Sequence, residues 1–464
     1  MDFTAPSAIA QARGVANESE ALEWLRERNV DDIELIIPDH AGVARGKMMP
    51  VAKFFSSGKS AMPRSIFTQT ISGEYPQDDE GFQYDPMDSD FHLTPDYSTL
   101  TIVPWETDPT AQLIHDATNH DGTPLQTSPR EVLRRVIRLY EDLGLKPIVA
   151  PELEFYFVKP NIDADNPIEP PIGRSGRAEV GRRSYSISAL NEFDEVIDDI
   201  YDFSEAQGLE IDTLIHEEGA AQMEINLRHG DPLELADQAF LFKRTIREAA
   251  HRHDMYATFM AKPMNQQPGS AMHIHQSLVS IENGFNAFSK DDGTPTDLFS
   301  HFIGGHQKYL PHVMCMLAPY VNSYRRLART QDPVCANLCW GHDNRTVGLR
   351  VPRSSPEARR LENRIPSSDS NPYLAIAASL ACGYLGIKEQ LQPDAPLQDN
   401  GEGKASGLPR WLLDAVDLFG QCDPLKEVFG EQFVETYRAI KLSEFETFMG
   451  VVSTWEREHL LLQV

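Results

Sequence analysis

Basic side chains are scarce in this chain: 42 Lys and Arg stand against 70 Asp and Glu, for a formal charge of −28. Nucleic-acid backbones are held by clustered Lys and Arg, so the imbalance excludes that class of partner. It would welcome a cationic small substrate, although bulk charge chiefly serves solubility. Cysteines are few and odd in number. Cys315, Cys335, Cys339, Cys382 and Cys422 sit in apolar surroundings, which excludes a disulfide framework and suits a reducing cytoplasm. Long apolar runs are missing too. The longest, LAIAASLACGYLGI at 374–387, is shorter than the ~20 residues of a membrane span and reads as a buried helix. Asn371 supplies its N-cap and Pro372 its first position. The opening MDFTAPSAIAQARGVANESEA has neither a basic start nor a long apolar stretch, so neither secretion nor organelle import is expected. No internal repeat is evident.

A chain of 464 residues with 41% hydrophobic content buries a sizeable core and accommodates two or three domains. The pattern changes near residue 124, which suggests a small mixed domain over 1–123 and a larger one over 124–464. The first shows a helix near 18–29, a strand at IELIIPD, and short strand-like pieces ending at TLTIVPW. The second opens on a helix with a capping box at Ser128 and Glu131 and with Pro129 in its first turn. Strands expected at 147–158, 222–228, 256–262, 271–278, 345–351 and 360–365 alternate with helices near 192–207, 233–254, 300–315 and 371–390. KPNIDADNPIEPPIGRSG and LQPDAPLQDNGEGKASG read as loops.

What is abundant is a metal-binding vocabulary at strand spacing. Glu152 and Glu154 in PELEFYF, and His273 and His275 in AMHIHQSL, are two residues apart, so each pair points to one face of its strand. Gln222, Glu224 and Asn226 in QMEIN repeat the spacing, as do Arg360, Glu362 and Arg364 in RRLENR. Together they make a polar inner wall from separate strands. Glu152, Glu154, Glu217, Glu224 and Glu362 with His273 furnish donors for two hard divalent cations, Mg²⁺ or Mn²⁺. Such a pair of ions clamps a transferring phosphoryl group. Arg345, Arg350, Arg360 and Arg364 add bidentate positive charge suited to phosphate and carboxylate. Taken singly, each motif is equally a solvated strand face, HxH also suits zinc, and each Arg also suits a surface ion pair.

In order along the chain, PELEFYF, HEEGAAQME, PGSAMHIHQSL, NRTVGLRVP and EARRLENRIPSSDSNPYLA resemble the motifs of the glutamine synthetase family. The resemblance implies an α+β fold, with an N-terminal β-grasp domain and a C-terminal catalytic domain built on a curved antiparallel sheet. It also implies stacked rings of subunits forming a homododecamer. Carried over residue by residue, Glu154, Glu217 and Glu224 would hold one metal, and Glu152, His273 and Glu362 the second. Arg326 and Arg364 would bind the glutamate carboxylates, with the backbone at Gly269 near its amino-acid end. Arg345, Arg350 and Arg360 would neutralise ATP phosphates, with His275, Ser277 and Asp212 along the nucleotide. The implied chemistry is phosphoryl transfer from ATP to a side-chain carboxylate, followed by attack of an amine on the acyl phosphate; Arg345 and Arg364 act by charge neutralisation.

The departures from the family concern the acceptor. Where glutamine synthetases place an Asp and a Glu to bind and deprotonate ammonium, this chain places Met62, with a one-residue uncertainty, and Gln331. Neither stabilises NH₄⁺ as an anion would, which points to a wider acceptor such as a primary alkylamine. Its proton needs a base, for which Asp332 is the first candidate; a turn-forming Asp before Pro333 is the bland reading. An acidic stretch, Glu74, Asp78, Asp79, Glu80, Asp85, Asp88, Asp90 and Asp96, is either a solvated loop or an attractor for the far ammonium of a diamine. QPGSAMHIHQS and WGHDNRTVGLRVP resemble the γ-glutamylpolyamine synthetase branch. The expected function is therefore ATP-dependent ligation of glutamate to putrescine or a longer polyamine, in polyamine catabolism. A monoamine or ethanolamine acceptor, ammonia, or a non-catalytic relative are the alternatives. Between Tyr384 and Tyr437 there is no Tyr, so adenylylation of the kind some family members undergo is not expected.

Overall fold

The computed structural model describes residues 12–56, 60–76, 85, 87–180, 182–328, 336–404 and 406–464. Gln331, Asp332, Cys335, Asp78, Asp79 and Glu80 lie outside the described residues.

Among the described residues two sheets form, each over its own apolar core. The first contains β1 (Asp32–Pro38), β2 (Ala44–Pro50), β3 (Ser60–Pro63), β4 (Asp90–Pro95), β5 (Thr101–Ile102) and β6 (Thr110–Thr118), ordered β2-β1-β6-β4-β3 with β5 against β6. β1 and β6 run parallel and the other pairs antiparallel. The helix Glu18–Glu27 is capped by Asn17 and sends Trp24 and Leu25 into a core with Leu35, Phe67, Phe91 and Leu113.

Met62 belongs to that same core at 5% exposure, opposite Phe91 across the β3–β4 pair. This corrects the expectation that its side chain lies against the acceptor. Period-two alternation turns Met62 inward and leaves Ala61 and Pro63 on the other face.

The larger sheet holds β7 (Leu145–Val158), β8 (Ile211–His216), β9 (Gln222–Leu227), β10 (Tyr256–Thr258), β11 (Met272–Ser280), β12 (Trp340–His342), β13 (Leu349–Val351) and β14 (Leu361–Asn363). Its order is β12-β13-β14-β11-β7-β9-β8, with β10 on β7. Every pairing is antiparallel except β12 with β13. Leu153, Phe155 and Phe157 of β7 enter a core shared with the helices Pro129–Glu141, Pro232–Arg252, Asp297–Leu317 and Pro372–Glu389. Glu152 and Glu154, on the alternate positions, face the other way.

Asn371 caps its helix as expected, accepting from the amides of Tyr373 and Leu374. The box at Ser128 does not close: its side chain makes no cap bond, and Glu131 pairs with Arg138 instead. β13 begins four residues later than expected because Asn344 Oδ1 accepts from Thr346 N at 2.9 Å, folding 344–346 into a turn. The C-terminal helices from Leu412 to His459 had no counterpart in the sequence reading.

A buried ion network joins the two sheets' layers. Arg130, 1% exposed, donates from Nε and Nη2 to Asp237 at 2.9 and 2.7 Å, and its guanidinium also meets Asp96 and Asp116 of the smaller sheet's region. Arg244 forks onto Glu34 of β1.

Candidate active site

Register turns the spacing of the motifs into a site. β7 lies between β11 and β9, so Glu152 stands opposite both His273 and Asn226, and Glu154 stands opposite Glu224. On the far side of β11, His275 pairs with Glu362 of β14, which pairs in turn with Arg350 of β13. Glu217 follows β8 directly, its amide bonded to the Gln222 carbonyl at 2.8 Å. That turn is tight. A Cβ on Gly219 would sit 2.0 Å from the Tyr156 hydroxyl, and Ala221 adopts φ 57°.

Glu179, which the sequence reading passed over, pins the turn. Its Oε2 lies 2.8 Å from His216 Nε2 and accepts from Ala221 N at 2.9 Å, while His216 Nδ1 is 2.7 Å from the Glu217 carbonyl. A buried acid inside a loop of low hydrophobicity is a signal only when its partners are known.

Glu152, Glu154, Glu217, Glu224, His273 and Glu362 all line one cavity of about 420 Å³, together with Arg345, Arg350 and Arg364. His273 Nδ1 is 3.3 Å from Glu152 Oε2 and 3.9 Å from Glu362 Oε1, and its Nε2 is 3.8 Å from Glu154 Oε1. Two donor groups have all their ligand atoms within 4.8 Å: Glu152, Glu224 and His273, and Glu152, His275 and Glu362. The grouping differs from the division carried over from the family. Glu152 is shared, and His275 joins the acids because its Nε2 lies 2.8 Å from Glu152 Oε1. Since an Arg only donates, the 3.1 Å bond from Arg360 Nε makes His275 Nδ1 the acceptor and Nε2 the donor.

Electrostatics divide these acids. Burial, with Glu217 nearby, raises the Glu154 carboxyl to about 8; burial with Glu154, Glu152 and Glu217 raises Glu224 to about 9. Burial also raises Glu217. For Glu362 burial acts upward but is outweighed by Arg364, His273 and His275, which hold it at about 2. Glu152 is lowered against burial by its bonds to His273 and His275, while burial and Arg364 push His273 down to about 4. Crowded carboxylates with imidazole donors fit hard divalent cations, which would relieve the mutual repulsion.

The arginines occupy two levels. Arg350 donates to Glu362 and Asp343, each at 2.8 Å, and Arg364 pairs with Glu362. Arg345 is exposed on the same wall. Arg326, expected to reach the glutamate carboxylate, instead directs its guanidinium to the Ile365 carbonyl at 2.8 Å, the Arg364 carbonyl at 3.1 Å and Ser367 Oγ at 3.2 Å. Those acceptors lie in the turn after β14, so Arg326 braces Arg364 and bears on Glu154 through its charge. Gly269 lies beneath it: a Cβ there would come within 2.5 Å of Arg326 Cγ. The Gly269 carbonyl accepts from Gln222 Nε2 at 3.1 Å.

A second cavity of about 740 Å³ shares Glu152 and Asn226 with the first and is lined by His275, Ser277, Arg360 and Asp212 along with Ile148, Val149 and Val279. Asp212 is exposed at the irregularity where the β8–β9 register shifts. An apolar slot ending in Arg360 is a shape suited to a nucleotide. A larger cleft, about 1040 Å³, lies beyond Asp212 but contains none of the clustered donors. Ser184 and Tyr185, in the loop before the helix Ile187–Leu190, and Glu218, in the β8–β9 turn, also line the acid cavity and were missed, because neither segment carries a period that places them. Tyr185 holds φ 60° and its amide bonds the His216 carbonyl at 2.9 Å.

Residues 126–460 match the family described as glutamine synthetase, catalytic domain. The chain is 34% identical to gamma-glutamylputrescine synthetase PuuA of Escherichia coli (strain K12), over 97% of this chain and 96% of that protein. It is 33% identical to glutamate–isopropylamine ligase of a Pseudomonas species, over 94% and 95%. Among solved structures it resembles GmaS without ligand, with TM-score 0.80 and 26% identity, covering 94% of this chain and 98% of that one. It likewise resembles GmaS in complex with ADP, with TM-score 0.81 and 26% identity, covering 96% and 100%. Two sheets in this order and a catalytic-domain match over most of the length agree: the chain belongs to the glutamine synthetase family, as an ATP-dependent ligase of glutamate with an amine.

Proposed function

We propose that the amine is a polyamine, putrescine or longer, joined to the γ-carboxylate of glutamate through a γ-glutamyl phosphate, as a step in polyamine catabolism. The observation that carries the ligase chemistry is the single wall on which five acids and His273 meet Arg345, Arg350 and Arg364. The acceptor is supported by the likeness to a putrescine-using relative.

In this reading Glu154, Glu217 and Glu224, with Glu152, His273 and Glu362, hold two or more Mg²⁺ or Mn²⁺ ions, which when bound supply charge neutralisation for ATP. Arg360, His275, Ser277 and Asp212 align the nucleotide in the apolar slot. Arg345 and Arg350 offset the charge of the migrating phosphoryl group, and Arg364, braced by Arg326, receives a glutamate carboxylate near Gly269. Positioning accounts for much of the rate in such a reaction, because the two substrates meet as one oriented complex.

The likeness to an isopropylamine-using relative favours a monoamine as the second reading. Phosphate release with glutamate, ATP and a panel of putrescine, isopropylamine, ethanolamine and ammonium separates them. Putrescine should be the best acceptor and ammonium a poor one; turnover with ammonium equal to that with putrescine rejects the assignment. A homododecamer of two hexameric rings is proposed as the assembly. It is supported by the exposed apolar side chains Val451, Trp455, Leu461 and Leu462 at the C-terminal end. A cytoplasmic setting suits the free thiols of Cys315, Cys339, Cys382 and Cys422.

A further inference from the structure

A diamine poses a problem that ammonia does not. While one nitrogen reacts, the other stays protonated near neutral pH, like a Lys ammonium, and needs an anion to leave water. The acids of the cavity floor are committed in the proposed reading: Glu152, Glu154, Glu217, Glu224 and Glu362 gather around His273 as metal donors.

Acids of the 74–96 stretch that the structure describes are largely engaged elsewhere. Glu74 accepts from Thr447 Oγ1 at 3.0 Å, Asp88 from Ser65 N at 2.9 Å, Asp85 from Met87 N at 3.1 Å, and Asp96 pairs with Arg130 at 2.8 Å. Among the described residues, Glu218 is the acid on the wall that the metal reading leaves over.

We infer that Glu218 is the acceptor-specificity residue, its carboxylate receiving the distal ammonium of an α,ω-diamine. Glu218 lines the same cavity as the metal donors and is the next residue after Glu217, whose Oε2 accepts from the Glu218 amide at 3.3 Å. It is the chain neighbour of a proposed metal donor, and its exposure puts it on the lip of the cavity rather than the floor. Its side chain is 45% exposed and bonds Arg182 Nη1 at 2.6 Å; Arg182 is itself 49% exposed.

A half-exposed ion pair of this kind contributes little and is readily exchanged. Arg182 thus holds Glu218 in place and competes with the incoming cation. A monoamine of equal length has nothing to offer Glu218 and would leave the pair closed. This inference rests on the amine-ligase reading of the site and deepens it by naming the group that recognises the second charge.

The test compares putrescine with n-butylamine, which has the same four-carbon chain and one nitrogen, using the full chain with ATP, glutamate and Mg²⁺. Glu218→Gln should lower the ratio of kcat/KM for putrescine over butylamine at least tenfold, chiefly through the KM for putrescine, and Glu218→Asp should recover part of it. Arg182→Gln should shift the ratio the opposite way by severalfold. An unchanged ratio in both Glu218→Gln and Arg182→Gln overturns the inference while leaving the ligase reading intact. A wild-type protein that uses ammonium but neither amine overturns both. Arg182→Gln guards against a folding defect in the Glu218 variants, because its expected effect is a gain.

Discussion

At the scale of the residue, Glu154 and Glu224 are the most informative groups in the cavity. Both are held above the ordinary carboxylate value of 4.5, at about 8 and about 9, by burial and by the other acids. At these two carboxyls the folded protein therefore binds more protons than the unfolded chain, Glu154 between about pH 4.5 and 8 and Glu224 between about pH 4.5 and 9. Because stability changes with pH in proportion to protons bound by the unfolded minus the folded state, the sign for these two groups is negative, and their contribution to the stability of the metal-free protein falls as pH rises through that window. Thermal melts of metal-free protein from pH 5 to 9 should show this fall as a difference between wild type and Glu224→Gln, with the variant gaining relative stability as pH rises. A wild-type slope identical to that of the variant would count against the assignment. Conversely, cation binding must release these protons, so apparent Mg²⁺ affinity should rise with pH over the same range.

At the scale of the element, the turn from β8 to β9 decides where Glu217 points. Gly219 is there because no Cβ fits beneath Tyr156, whose hydroxyl donates to the Pro268 carbonyl at 2.8 Å and lies 3.1 Å from Gln222 Oε1. Tyr156 is fully buried and has no room to retreat. Gly219→Ala should destabilise the fold by about 1–3 kcal/mol through overpacking and weaken cation binding at the same time. Chemical denaturation with metal titration checks both, and adding Tyr156→Phe, which removes the clashing oxygen, should restore part of the loss.

The outline of these elements was legible beforehand: the central strands at 145–158 and 222–227 and the cap at Asn371 follow from local alternation and capping chemistry. The bulge at Asp212 and the shortened β13 were not, because each depends on a neighbouring strand or turn rather than on the segment's own pattern.

At the scale of the whole molecule, the orientation of the two layers depends on Arg130. One buried guanidinium satisfies Asp237 from the catalytic layer together with Asp96 and Asp116 from the smaller one. Tyr373 adds a 2.6 Å bond to Asp237. Arg130→Met would leave Asp237 buried without its counter-charge. Loss of about 3–5 kcal/mol is expected, read from the urea midpoint. A shift under 1 kcal/mol would mean that the three carboxylates find other partners and that the network is not what fixes the layers.

Which side chains share a face was already written into the order of residues. In an extended strand the alternation is a matter of covalent geometry, so Glu152 with Glu154, and His273 with His275, had to point together. What those faces meet came from packing between distant segments. Strand register brought Glu152 between His273 and Asn226, the turn after β14 captured Arg326, the small core took Met62, and segments with no period of their own set Glu179 beneath Glu217 and Glu218 on the lip. Each of these is a contact between segments far apart in the chain, where the outcome rests on burial, backbone hydrogen bonding and charge pairing that no local pattern encodes.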